Sequence, residues 1–598
     1  MTITKDRDYR LLTFATFGLL WLYVFLRAIY VSPLHDEVAT YFHFIETGKI
    51  WGEDAQLDAN NHLLNSLFGK ISYRLFGESF FLFRLPNVLA FALYFWGIRH
   101  LLRDLKPWFQ YICLIGITSI PYVLEYFAYT RGYGLSITCF TWVLIFAQKL
   151  TKQFSLLNLA GLYFFAFAAI LSNVSFLTTG CLAVLLTIVL FQRNVRQLSW
   201  VQISGFILLT ALFFLACKPL VEMSMVMKEA GTLYYGSLEG LWDVTGKTLF
   251  RYVFFTDHDV LAIVISVLLV VLLIVQLWKL ISLGLWNYLR RADGLFAFFF
   301  FGLLTLIVIM AEAFKINYPE DRVAMQLIPL FLLLVITTIY HSKTGEKALY
   351  LFLLFPLSLI LHLSLSTSVF TPDERLTDDF YRKVKQQLKP ESSLSGYPTM
   401  QLTWALHERN VPVKNFMHLE TSFRPNADIV LVKSALTPKN TDLSGYAIIA
   451  EDREAGYIAY KRKTAFGRRP LFRIGLEQLE SQNEYIDLAR FSPQSNWQNK
   501  PLLISVKATV KRALKTDLES IVISSTKTSG EAFRYESYDL RWYNSIHPDE
   551  ITFEMTYEFT ALDAQESDFV VYLWNKRFTP MKVSNCTVYI YSLQKAEE

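Results

Sequence analysis

The chain has 598 residues, 53% of them hydrophobic and 16% aromatic, with a mean hydropathy of +0.31. That is too apolar for an ordinary soluble protein and marks a polytopic membrane protein. The net charge is only +5 and the basic residues gather between apolar runs, so they read as topology signals and exclude nucleic-acid binding as their role. The five cysteines, Cys113, Cys139, Cys181, Cys217 and Cys586, have no ligand-like spacing and read as small packing residues, which excludes a disulfide framework or a cysteine metal site.

Taken in order, the apolar runs predict about eleven membrane spans at ~20 residues each. They are Leu11–Val31, Phe80–Ile98, Phe109–Leu124, Gly132–Ala147, Ser155–Leu171, Ser175–Phe191, Val201–Cys217, Val260–Trp278, Leu295–Ala313, Val323–Tyr340 and Ala348–Leu365. The first run lacks a small-residue cleavage site before Asp36 and reads as a retained helix, not a signal peptide. Lys5, Arg7 and Arg10 precede it. Basic residues then follow every second span, at Arg99, Arg103 and Lys106, at Lys149 and Lys152, at Arg193 and Arg196, at Lys279, Arg290 and Arg291, and at Lys343 and Lys347. The positive-inside bias therefore predicts a cytoplasmic N-terminus. Asp36-Glu37, the Glu125–Arg131 and Lys315–Arg322 segments, and everything after the last span fall on the outer side. The long Lys218–His258 loop, with Met223–Met227 and Tyr234-Tyr235, reads as either an interfacial lid or a plain connection.

After Ser366 the pattern becomes that of soluble domains. Asp378–Leu388 has helical charge spacing, and Asp428–Lys433, Tyr446–Glu451 and Tyr457–Tyr460 are strand-like. Alternation then dominates at Leu502–Val510, Ser520–Ser525, Tyr538–Tyr543, Ile551–Phe559, Phe569–Trp574 and Cys586–Ser592. The expected organisation is a transmembrane module over 1–370, a small extracytoplasmic α/β domain over 371–463 and an extracytoplasmic β-sandwich over 464–598. The sandwich serves either as a cap or, through aromatics such as Trp542 or Trp574, as a carbohydrate-binding surface. A cap is the more ordinary fate of aromatics on alternating strands.

The residues that carry chemistry sit at the mouths of spans. Asp36 and Glu37 follow the first span, where they serve as a helix start, as a general base, or as both. Asn60, Asn61 and His62 suit hydrogen bonding to a sugar or headgroup, or cap the helix that begins at Leu63. Arg84 stands in an apolar stretch and needs an anion or a structural partner such as Glu78. Arg131, beside Gly132 and Tyr133, is either a phosphate fork or a snorkelling belt residue. Lys315, Tyr318 and Arg322 extend the cationic set, with Arg322 paired to Glu320 or Asp321 as the alternative. A carboxylate on one side and guanidinium groups on the other match glycosyl transfer from a lipid phosphate. The carboxylate would take the acceptor's proton, and the cations would stabilise the departing phosphate.

These motifs resemble the GT-C superfamily of polyprenyl-phosphate-dependent glycosyltransferases, in particular the bacterial branch with the lipid A aminoarabinose transferase and relatives of protein O-mannosyltransferases. The resemblance rests on Asp36-Glu37 after the first span, Asn61-His62-Leu63-Leu64, Phe76-Gly77-Glu78-Ser79 with Arg84-Leu85-Pro86, Arg131-Gly132-Tyr133, and Tyr318-Pro319-Glu320-Asp321-Arg322. It covers Leu11 to Leu365, and Leu63 stands where the family often has proline. The resemblance implies a GT-C-like membrane module that inverts the sugar carbon. Asp36 would be the catalytic carboxylate with Glu37 in support, and Arg131 and Arg322, with Lys315, would hold the carrier phosphate.

The expected protein is thus a membrane glycosyltransferase. Its partners would be a polyprenyl-phosphate-linked sugar, the lipid bilayer, and a glycan, glycolipid or protein acceptor, with no nucleic acid. No cofactor is required, although His35, Asp36 and His62 leave a divalent metal open. The rival classes are a lipid-linked sugar transporter or flippase, which calls for internal repeats and midplane charges, and a non-catalytic scaffold with a glycan-recognition domain. No repeat is found, and Arg27 and Glu312 lie toward span ends.

Overall fold

The computed structural model describes residues 2–52, 55–233, 235–256, 258–340, 345–389, 392–409, 419–420, 423–433, 436–437, 441–512, 519–540, 550–559, 562–563, 565–576 and 578–594. The chain divides into two compact units. One is Met1–Val31 with His43–Phe370; the other is Ser32–Phe42 with Thr371–Glu598.

The first unit is helical. It runs through α1 (Thr2–Tyr30) and, beyond the short α2 (His35–Thr40) of the second unit, continues with α3 (Leu63–Phe76), α4 (Phe80–Leu101), α5 (Pro107–Thr118), α6 (Pro121–Glu125), α7 (Gly132–Lys152), α8 (Leu156–Ser172) and α9 (Leu177–Asn194). Then follow α10 (Trp200–Glu229), α11 (Lys247–Phe254), α12 (Asp259–Arg290), α13 (Ala292–Phe314), α14 (Leu327–Tyr340) and α15 (Leu354–Leu361). Among the described residues, seven helices are long and apolar enough to cross a membrane, and Leu156–Ser172 and Leu327–Tyr340 are shorter apolar helices. The protein is a polytopic α-helical membrane protein with a β-rich C-terminal region.

The expected spans differ from the observed helices for local reasons. Phe109–Leu124 is divided between α5 and α6, because Pro121 has no N–H to continue the ladder and starts a new helix instead. The last expected span is carried by a 3₁₀ segment, Glu346–Leu353, followed by α15. α10 extends to Glu229 and absorbs Met223–Met227, expected in a loop. The remainder of that connection holds α11, whose Phe250 and Val253 are buried; Tyr234 lies outside the described residues.

Arg27 on α1 organises the packing at one end of this unit. Its Nη2 donates to Glu125 Oε1 and to Tyr129 Oη, both at 2.8 Å, and its Nη1 donates to the Ser364 carbonyl. The backbone N–H of Val369 also donates to Glu125 Oε1, at 3.0 Å. One buried ion pair therefore joins α1, α6 and the 364–370 segment. Arg84 on α4 closes the same helix end by donating to the carbonyls of Ala28 at 3.1 Å and Val31 at 2.7 Å, groups that helix geometry leaves unpaired.

In the second unit, α2 packs on α17 (Pro398–Glu408), and Arg409 lies over the rings of Tyr41 and Phe42 at 5.2 and 5.5 Å. The α/β part adds α16 (Asp378–Lys385) and a sheet of β1 (Leu394–Ser395), β2 (Ile429–Lys433), β3 (Tyr446–Asp452) and β4 (Tyr457–Arg462) in the order β1-β2-β4-β3. Beyond it lie β5 (Gly467–Ser481), β6 (Tyr485–Phe491), β7 (Leu502–Arg512), β8 (Glu519–Lys527), β9 (Ala532–Asp539), β10 (Glu550–Phe559), β11 (Glu566–Asn575) and β12 (Met581–Gln594). They form two four-stranded sheets, β10-β7-β12-β5 and β6-β11-β8-β9, whose inward residues share one apolar core, as in a sandwich. β5 and β6 are absent from the sequence-based expectation. No residue of β5 is fully buried, so its alternation is weak. Of the strand expected at Tyr538–Tyr543, Tyr538 and Asp539 fall in β9 (Ala532–Asp539), while residues 541–543, Trp542 among them, are outside the described residues. Trp574 and Tyr572 alternate with the buried Leu573 and Val571 and so occupy the outward face of their sheet.

A buried acidic cluster joins the α/β part to the sandwich. Arg424 donates to Glu420 and Glu536 at 3.3 Å and to Tyr557 Oη, and the Glu558 N–H donates to Glu420 Oε1 at 3.1 Å. Burial, then the nearby Glu558 charge, holds the Glu420 carboxyl well above the usual range, and burial pushes Glu558 up to about 7. Folded Glu558 holds its proton above the ordinary value of 4.5, so its ionisation opposes folding.

Two outcomes are expected. Arg27→Met leaves Glu125 as a buried charge without its partner and costs about 3–5 kcal/mol; a lowered unfolding temperature in detergent checks this, and an unchanged one refutes it. The Glu558 contribution to stability falls as pH rises from about 4.5 to about 7, where unfolded but not folded Glu558 releases its proton, and Glu420, held well above its usual range, adds to the fall. Hydrogen exchange of β10 amides in the full-length protein, corrected for intrinsic rates, reports it, and Glu558→Gln reduces the slope between about 4.5 and about 7 while an unchanged slope refutes the assignment.

Candidate functional site

The first unit contains a cavity of about 190 Å³ whose lining includes Asn60, His62, Arg131, Tyr133, Asn173, Tyr235, Asn317 and Gln326. Apolar side chains, among them Leu177, Ile307, Met310 and Val323, complete it.

A chain of amides fixes the start of α7. Asn87 Nδ2 donates to Asn65 Oδ1 at 2.8 Å, Asn65 Nδ2 donates to the Thr130 carbonyl at 3.1 Å, and the Leu135 N–H donates to Asn87 Oδ1 at 3.2 Å. Arg131 is thereby set in extended conformation as the residue before α7. Gly132 follows because nothing larger fits: a Cβ there would lie 1.8 Å from the Ser172 carbonyl and 2.7 Å from His62 Cβ. This close approach sets the His62 ring edge-on to Tyr133, 4.8 Å between centroids, with the Arg131 guanidinium 5.6 Å over the same tyrosine ring. Asn61 is engaged elsewhere. Its Nδ2 donates to the Ile50 carbonyl at 2.9 Å and its Oδ1 accepts from Ser66 Oγ at 3.0 Å, which pins the turn before α3.

The opposite wall comes from residues 316–326. Asp321 adopts a left-handed conformation (φ 43°) that a non-glycine residue takes only when its neighbours enforce it. Here its N–H donates to Thr248 Oγ1 at 3.0 Å, and its Oδ1 accepts from Tyr122 Oη at 2.9 Å and from the Arg322 N–H. Arg322, buried, lies 4.8 Å over the ring of Tyr235 and donates to its hydroxyl. The Tyr126 ring lies edge-on to Tyr133. Tyr318 is buried and donates to Glu312 at 2.8 Å, while Lys315 is an exposed, left-handed residue that ends α13.

Of the sequence-predicted residues, His62, Arg131 and Tyr133 line this cavity, and Arg322 borders it through Tyr235. Asn61, Arg84, Lys315 and Tyr318 lie outside its lining; Arg84 holds the end of α1. Asp36 and Glu37 belong to the second unit. Glu37 is fully buried and accepts the Leu34 N–H at 3.1 Å as the capping residue of α2, while Asp36 is half-buried. Among the described residues no three His, Cys, Asp or Glu side chains gather as a metal site. Sequence reasoning did not single out Asn173 or Gln326. Gln326 carried a usable signal, a lone amide at the start of an apolar run. Asn173 looked like an ordinary residue between two spans.

A second, apolar hollow of about 270 Å³ is lined by residues such as Leu249, Phe250, Leu269, Phe300, Leu327 and Phe331. The segment from Pro319 to Ile328 serves both spaces: Pro319, Val323 and Gln326 face the polar one, and Leu327 and Ile328 the apolar one.

No family model matches the sequence, and no curated protein matches it. Solved structures do share similarity. ArnT from Cupriavidus metallidurans bound to undecaprenyl phosphate is 12% identical, with a TM-score of 0.33 over 76% of this chain and 98% of that one. The arabinosyltransferase EmbB from Mycobacterium smegmatis is 11% identical, with a TM-score of 0.32 over 96% of this chain and 64% of its own. The arabinofuranosyltransferase AftD from Mycobacteria is 10% identical, with a TM-score of 0.37 over 97% and 61%. At these values no side chain is matched across them, and the site is read from this chain's own residues.

Gly132→Ala is expected to lower the unfolding temperature by the equivalent of about 1–3 kcal/mol or more, as overpacking against backbone does. Gly18→Ala, on open helix surface, serves as the control and leaves it unchanged or raised. Equal behaviour of the two variants in a detergent melt would remove Gly132 from this role.

Proposed function

We propose that the protein is a membrane glycosyltransferase that moves a sugar from a polyprenyl-phosphate donor to an acceptor hydroxyl. The supporting observation is a small cavity of mixed polar and apolar lining with buried Arg131 in its wall and buried Arg322 donating to its lining residue Tyr235, and with an apolar hollow that shares the Pro319–Ile328 segment. A guanidinium's planar fork of donors matches the oxygens of a phosphate, and an aromatic face restricts its rotamer without removing its charge. The headgroup phosphate is taken between the arginines, and the isoprenoid tail in the apolar hollow.

In the reaction the acceptor oxygen forms a bond to the anomeric carbon as the bond from that carbon to the phosphate oxygen breaks. The polyprenyl phosphate leaves with one more negative charge, which Arg131 and Arg322 stabilise, being guanidinium groups that stay charged at any working pH. The acceptor's proton passes to a carboxylate, and Asp36 is proposed for that role on its position after α1. Glu37, engaged as a helix cap, supports the fold of α2. The proposal places catalysis on the outer face of a bacterial inner membrane, with a glycolipid, polysaccharide or exported protein as acceptor. It involves no metal step.

Asp36→Asn is expected to keep the unfolding temperature and carrier binding but lose transfer by at least about a thousandfold. Arg322→Gln is expected to weaken binding of undecaprenyl phosphate by about tenfold or more. Release of free carrier from polyprenyl-phosphate sugars by the purified, lipid-reconstituted protein is the assay. Full transfer by Asp36→Asn removes that residue from the chemistry, and absence of carrier release by the wild type removes the enzyme reading.

A further inference from the structure

Two buried amides in the cavity remain unused by the phosphate chemistry. Asn173 and Gln326 are 6% and 2% exposed. Asn173 Oδ1 accepts the Ser175 N–H at 3.0 Å, which fixes the plane of its amide; its Nδ2 has no hydrogen-bond partner among the described residues. Gln326 Oε1 has none either. An unmet buried donor or acceptor costs about 1–3 kcal/mol, so a pair of them lining one hollow points to a ligand that meets both.

The chemistry of the pair selects that ligand. Asn173 Nδ2 only donates, and Gln326 Oε1 only accepts. A phosphate oxygen accepts from Asn173 but is repelled by Gln326, and an ammonium group does the reverse. A hydroxyl satisfies both, since it accepts one hydrogen bond and donates another. The volume, about 190 Å³, gives room for on the order of a dozen water-sized atoms, the size of one sugar ring. We infer that Asn173 and Gln326 form a subsite for the hydroxyls of the transferred sugar, with Asn173 donating and Gln326 accepting. The assignment rests on the cavity being the donor site. It divides the labour in that cavity, with guanidinium groups for the phosphate and neutral amides for the sugar. Specificity then follows from the amides, because a site built to hydrogen-bond a hydroxyl rejects a ligand that lacks it.

The test measures binding of undecaprenyl phosphate and of undecaprenyl-phosphate glucose, mannose and arabinose to the full-length protein in nanodiscs. Asn173→Ser retains an oxygen for the Ser175 N–H but loses the amide donor, and Gln326→Met conserves volume but loses the acceptor. At least one glycosylated lipid is expected to bind wild type about tenfold tighter than the bare carrier. Each variant is expected to erase that advantage while binding the bare carrier as wild type does. If Asn173→Ser melts early, Gln326→Met alone decides. Folded variants that keep the full preference for the glycosylated lipid overturn the subsite, as do variants that weaken both lipids equally, or a wild type that prefers none of the three sugars. A wild type that fails to bind even the bare carrier overturns the donor-site reading, and the subsite with it.

Discussion

The close approach of backbone at Gly132 is the constraint on which the candidate site depends. The start of α7 lies against the Ser172 carbonyl and His62 with no room for a Cβ, so α3, α7 and the end of α8 meet at one point. Arg131 and Tyr133, flanking that glycine, are consequently presented to the cavity beside His62. The Asn65–Asn87–Thr130 amide chain holds the meeting point from behind, where in an apolar interior each satisfied amide also specifies a unique arrangement.

Buried arginines differ here in where they lie. Arg27 and Arg84 are met by the protein itself, by a carboxylate and a tyrosine in one case and by helix-terminal carbonyls in the other, and they lock α1 to its neighbours. Arg131 and Arg322 lie against tyrosine rings at the border of a hollow. A guanidinium held under an aromatic face keeps its charge and its forked donors while its rotamer is restricted, which suits an anion that arrives and departs. The same reasoning explains why Asn61 and Lys315, chemically apt in sequence, contribute little here: one is tied into the turn before α3 and the other is exposed at a helix end.

The C-terminal unit shows a different economy. Its two sheets share one apolar core, so most aromatics on its strands are packing, while Trp574 and Tyr572 fall on the outward register of β11. Its buried carboxyls, Glu420 and Glu558, sit where the α/β part meets the sandwich, which makes that junction the place where pH acts on the fold.

The sequence by itself determined the membrane class and the strands from Leu502 onward wherever alternation was strong. These features are written in local hydrophobic periods, which need no knowledge of distant partners. It also singled out His62, Arg131, Tyr133 and Arg322, because charge and aromatics at the ends of apolar runs are costly enough to stand out. Only the tertiary structure decided that Arg84 is a helix-end clamp, that Glu37 is a cap, and that Ser32–Phe42 belongs with the second unit. Only it joined Asn173 to Gln326, residues on different helical segments that share no local pattern. Whether a polar side chain is spent on the fold or left for a ligand depends on which atoms lie across from it, and that is a property of long-range packing, not of neighbours along the chain.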